Sequence, residues 1–102
     1  MNVDATIVGG DVDWDDYDSL TVSTDVVQVP AGLRDHERAH IVVESASVRF
    51  RFDGGDPTAT DGIQADAGDT IELESQFEVA KFRVIRKDGS DSTLRIHAGM
   101  LV

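Results

Sequence analysis

The chain has no cysteine, which excludes a disulfide framework, a thiolate metal site and a thiol nucleophile. Lysine is nearly missing too: only Lys81 and Lys87 among nine bases, the rest being arginine. No apolar run approaches the roughly 20 residues of a membrane helix, so no membrane partner is expected. Met1-Asn2-Val3-Asp4 shows neither the basic start nor the apolar stretch of a signal peptide. Export is therefore expected to take another route, such as packaging into a particle assembled inside the cell. Aromatics are few, with one Trp, one Tyr and four Phe. At 102 residues the chain fits one compact domain with one modest core.

What is abundant is aspartate. Fifteen of the 20 acids are Asp, and the formal charge is −11. Such a surface repels nucleic-acid phosphates, so no nucleic-acid partner is expected. Short carboxylates carry dense hydration with little apolar stem, whereas Lys exposes a long one. Salt at about 1 M shortens the screening length to roughly 3 Å, which makes this charge density tolerable. The balance reads as a surface adapted to high salt.

Residues 1–19 differ from the rest. They hold Asp4, Asp11, Asp13, Asp15, Asp16 and Asp18, and no Lys or Arg precedes Arg34. Yet they also hold Trp14 and Tyr17, residue types that are costly to leave in water and favoured as interface anchors. We read residues 1–19 as an acidic arm that orders against a neighbouring subunit or against the domain's own edge. Residues 20–102 form the domain.

That domain is written in strands. Ser47 to Phe52 alternates, with Val48, Phe50 and Phe52 on one face and Arg49 and Arg51 on the other. Asp69 to Glu74 places Ile71 and Leu73 inward. The stretch from Asp53 to Gly68, with four glycines and a proline, predicts a loop with one short extended piece. Val79 to Lys87 and Thr93 to Ala98 flank Asp88-Gly89, a hairpin signal. Only Arg34 to Ala39 and Gln76 to Ala80 leave room for a helical turn. The expected fold is all-β: a small antiparallel sandwich of six to eight strands, jelly-roll-like, with an acidic N-terminal arm.

One motif points to chemistry. His36-Glu37-Arg38-Ala39-His40 spells H-E-x-x-H, in which two His one helical turn apart bind zinc. The chemistry needs a stable helix, but Gly32 lies upstream and a β-branched strand begins at Ile41. A polar connection with both His exposed is expected instead, and no enzyme activity, metal or cofactor. Asp11, Asp13, Asp15 and Asp16, and likewise Asp53, Asp56 and Asp61, fail the spacing of a calcium loop and read as solvated carboxylates. Arg49, Arg51 and Arg83 read either as an internal ladder with Glu72 and Glu74 or as a docking surface for an acidic partner.

Three stretches, "SVRFRFDGGDPTATDG" (Ser47 to Gly62), "AGDTIELE" (Ala67 to Glu74) and "VAKFRVIRKDGSDSTLRIHAG" (Val79 to Gly99), resemble small virion structural proteins of tailed viruses of bacteria and archaea. The resemblance spans about 60 residues from Ile41 onward, rests on turn and core residues, and leaves the arm outside. It implies a β-sandwich in the virion, attached to the major capsid protein or other virion proteins and forming a symmetric homo-oligomer. With the acidic surface, it implies a virus of a haloarchaeon. The expected role is decoration or cementing of the capsid, with Trp14, Tyr17, Arg49, Arg51 and Arg83 at the interfaces. A neck or tail position is the alternative, and a carbohydrate-binding module the next.

Overall fold

A computed structural model describes residues 12–102. Eight strands follow in order: β1 (Val12–Val22), β2 (Val27–Gln28), β3 (Arg38–Glu44), β4 (Val48–Arg51), β5 (Ile63–Ala65), β6 (Thr70–Leu73), β7 (Arg83–Arg86) and β8 (Ser92–Leu101). A 3-10 turn (Ala31–Leu33) precedes β3, and a short helix α1 (Gln76–Lys81) precedes β7. The strands form two antiparallel four-stranded sheets with orders β1-β8-β3-β6 and β2-β7-β4-β5. Within them β1 pairs with β8, β2 with β7, β3 with β6 and β4 with β5. That is one long antiparallel ribbon wound so that β8 also meets β3 and β7 also meets β4. Eight strands in two sheets with this order make a jelly roll, one of the ways an all-β chain limits its open edges.

The core follows from the alternation read in the sequence. Val48 and Phe50 of β4 and Val84 of β7 come from the second sheet. They meet Ile41, Val43, Ile71, Leu73, Leu94 and Ile96 of the first, all buried. Successive strand residues point to opposite faces, so the intervening Arg49, Arg51, His40, Glu72, Arg95 and His97 fall outside. Ser75 caps α1 by accepting the Glu78 N–H, as an N-terminal serine does. The helix ends at Phe82, which is fully buried and lies 5.5 Å from the Phe50 ring.

The arm takes the second of its two expected courses, against the domain's own edge, over its described residues: β1 pairs with β8 from Val12 to Val22, across the boundary drawn at residue 19. The described part of the arm is therefore an edge strand of the domain itself; Asp4, Ile7, Val8 and Asp11 lie outside the described residues. Two other sequence expectations are corrected. The hairpin expected around Asp88-Gly89 does not form, because β7 and β8 belong to different sheets. Residues 87–91 cross between the sheets instead. Asp91 holds that crossing by accepting hydrogen bonds from Ser23 Oγ and Arg86 Nη1, each at 2.7 Å, and these hold its carboxyl below the usual range. Finally, Phe52 leaves the row begun by Val48 and Phe50 and is 40% exposed.

Candidate functional site

Two regions carry the residues singled out in the sequence. The first is the solvent face of the β1-β8-β3-β6 sheet. Strand register aligns Tyr17 with His97, His97 with His40, and His40 with Glu72, one residue from each strand. Glu72 bonds the His40 ring at Nδ1, and the Tyr17 and His97 rings lie 5.0 Å apart.

A β-bulge brings Trp14 to the same face. Between Asp13 and Asp16 the register shifts, so that Trp14 and Asp15 together oppose Gly99. A bulge re-aims side chains, and Gly99 makes this one fit: a Cβ there would stand 2.5 Å from Val12 Cγ1 and 3.0 Å from Trp14 Cε3. The indole meets the His40 ring edge-on at 6.3 Å. Trp14, His40 and His97 thus line a shallow concavity of about 350 Å3. Trp14 and Tyr17 are 44% and 48% exposed.

The bulge also turns Asp15 toward His36. That imidazole has Nε2 3.2 Å from Asp15 Oδ1, and Nδ1 2.9 Å from Asp35 Oδ1 and 3.2 Å from the Leu33 carbonyl. His36 is buried, contrary to the expectation that both His of the H-E-x-x-H stretch are exposed. It ties β1 to the 3-10 turn. Arg38, Ala39 and His40 are already in β3, so the two His occupy no common helix and face different partners. Among the described residues no group of three or more His, Asp or Glu is arranged to hold a metal ion.

The second region is the loop from Phe52 to Gly62, between β4 and β5. All three arginines expected at an interface hold this loop. Arg51 makes a bidentate contact with Asp53 at 3.0 and 2.7 Å. Arg83 Nη1 reaches Asp56 at 2.6 Å, and Arg49 Nη1 donates to the Gly62 carbonyl at 3.1 Å. The ladder with Glu72 and Glu74 does not form, since Glu72 belongs to the other sheet and Glu74 follows the end of its strand. There Glu72 takes His40, while the Glu74 carbonyl takes Arg38. Pro57 is fully buried, and Thr58 and Asp61 exchange backbone bonds across the tip. Gly62 has φ +131°, and a Cβ there would come 3.1 Å from the Pro57 ring. The Pro-Thr-Ala step and its closing Gly are therefore parts of one folded loop.

This loop frames two exposed apolar side chains, Phe52 and Ile63, the latter 52% exposed at the free edge of β5. Together they line two shallow depressions, one of which runs on to Ile71 of β6. Arg49 and Arg51 were legible as one face of a strand. Their target was not, because it requires the loop to fold back.

The clamp makes a pH prediction. Arg51 first, and then the Gly55 N–H, lower the Asp53 carboxyl from 3.8 to about 2. A depressed carboxylate stabilises the fold above its unfolded value, and that contribution fades as pH falls from 3.8 toward about 2. Carbon-detected NMR titration should place the Asp53 midpoint near the lower value, and Arg51→Gln should move it up toward the ordinary one. An unmoved midpoint would mean that the ion pair does not hold the loop.

No family model, curated protein or solved structure matches the chain.

Proposed function

We propose that this chain is a virion structural protein that decorates or cements the capsid of a tailed virus, without catalytic activity. The observation that carries the reading is the loop from Phe52 to Gly62. Part of the first stretch that resembles virion proteins forms this loop, Arg49, Arg51 and Arg83 clamp it, and the product is a stiff presentation of Phe52 and Ile63. Two adjacent exposed apolar side chains beside the edge strand β5 suit docking against another protein. A rigid loop loses little conformational freedom on binding, so more of its burial energy appears as affinity.

In this reading the major capsid protein takes the Phe52 and Ile63 tip, and symmetric copies sit around it. The acidic surface supports a high-salt host, where screening relieves self-repulsion while burial of apolar surface persists. Trp14 and Tyr17, paired onto the domain's own edge, are not needed for this contact.

Quantitative mass spectrometry of purified particles tests the proposal. A copy number in fixed ratio to the major capsid protein is the expected result, and a few copies per particle would place the chain at the neck or tail. Absence from particles would overturn the reading. A folded Phe52→Asp variant should lose incorporation by at least about tenfold, since each 1.4 kcal/mol of lost binding is a factor of ten.

A further inference from the structure

The solvent face around Trp14 is unexplained by that docking tip and shares no residue with it. Its composition is unusual for this chain. The single Trp, the single Tyr and two of the three His are gathered on one side of one sheet. None of the four contributes to the apolar core. Two devices bring them there: a strand register that aligns Tyr17, His97, His40 and Glu72, and a bulge over Gly99 that turns Trp14 outward.

We propose that this face is a carbohydrate-binding site that takes the apolar face of a neutral pyranose on Trp14. The indole and the His40 ring stand at 71° to each other. They form a floor and a wall, and His97 closes the concavity of about 350 Å3. That volume lies within the roughly 300–1,000 Å3 of small-molecule sites. A pyranose suits such a corner, because its axial C–H bonds form a flat apolar face while its equatorial hydroxyls project sideways. The edges of the corner supply partners for those hydroxyls. Glu72 engages His40 at Nδ1, which leaves Nε2 as the free polar atom of that ring. His97 is exposed beside it.

Charge narrows the class. The chain carries −11 overall, and β1 itself contributes Asp13, Asp15, Asp16 and Asp18 without a base. At low ionic strength, where this field is unscreened, uronic or other acidic sugars would approach against it, so the site then selects neutral ones. The same aspartates oppose a second copy on this face, since a two-fold contact centred on Trp14 would set β1 against β1 and place like charges together. The site is independent of the virion reading; on a particle surface it would hold the particle to glycosylated material.

The only Trp is the proposed stacking residue, so its emission reads the site directly. The intact protein would be titrated with methyl β-glucoside, methyl β-galactoside and methyl α-mannoside, with glucuronate as the anionic comparison. At least one neutral glycoside should give a saturable change with a dissociation constant of about 1 mM, weak but measurable. At low ionic strength, glucuronate should bind at least about tenfold more weakly. Trp14→Ala, followed by calorimetry or ligand-observed NMR, should abolish binding with the circular dichroism unchanged. His97→Ala should weaken it while keeping the fluorescent reporter. The proposal fails if no neutral glycoside gives saturation up to about 50 mM, or if Trp14→Ala binds as well as the parent. It also fails if the emission follows protein concentration rather than glycoside, which would mean that a second copy covers the face.

Discussion

Phe82→Ala should lower the unfolding free energy by about 3–5 kcal/mol, the range for an aromatic removed from a packed core. Phe82 is fully buried, ends α1, opens the way into β7 and packs against Phe50. The cavity would lie where the helix, β4 and β7 meet, so no single side chain can relax into it without moving a strand. Domains of this size are stable by only about 5–15 kcal/mol. The melting temperature should fall on the order of 20 °C, at the usual 4–8 °C per kcal/mol, followed by thermal circular dichroism. Phe77, in the same helix but 70% exposed, provides the contrast. Its replacement by alanine should stay within about 0.5 kcal/mol, as for surface positions away from special features. Equal effects at the two sites would mean that the helix does not cap the core as described.

Phe82 also shows where sequence reading stops. Alternation alone placed Val48 and Phe50 inside, and Arg49 and Arg51 outside, because the period of a strand is local. The same holds for Ile71 and Leu73 against Glu72, and for Leu94 and Ile96 against Arg95 and His97. Alternation failed at Phe52, which lies beyond the end of β4 at Arg51. The helical turn near Gln76 was legible from the lack of strand signal. What the period cannot carry is which strands meet. Asp88-Gly89 has the residues of a tight turn, yet Val84 buries against Phe50 in one sheet and Ile96 against Ile41 in the other. Burial on opposite sides of the sandwich outweighs a favourable two-residue turn, so the segment becomes a crossing pinned by Asp91. The aromatic row was hidden for the same reason. Tyr17, His40, Glu72 and His97 are distant in sequence and become neighbours only once β1, β8, β3 and β6 are in register. His36 misled in the other direction, because its burial depends on carboxylates delivered by a bulge in another strand. Arg49 and Arg51 were the reverse case: their shared face was plain, but the loop they hold had to be seen.

Deleting residues 1–19 separates the two descriptions of the N-terminal region. If that region were an appendage, residues 20–102 would fold alone with an unchanged melting temperature. The structure makes the opposite expectation. Val12 to Ser19 pair with one side of β8 from Arg95 to Leu101, and β8 lies inside its sheet, between β1 and β3. Side chains from Asp13 to Ser19 are all exposed, so the deletion removes little apolar surface. What it does is turn a ten-residue interior strand into an open edge with unpaired N–H and C=O groups. A long edge with Arg95 as its one charged residue invites pairing with other chains, and the four aspartates that guard the present edge would be gone. The link from Asp15 to His36 would be lost as well. The truncated protein should therefore be recovered mainly as aggregate, and its soluble fraction should melt at least about 10 °C lower, a loss of roughly 2 kcal/mol for a domain of this size. Light scattering after chromatography reads the first effect and thermal circular dichroism the second. A soluble monomer with the parent's melting temperature would show that β8 is held by β3 alone. In that case the first half of β1 would serve only to carry Trp14 and Tyr17.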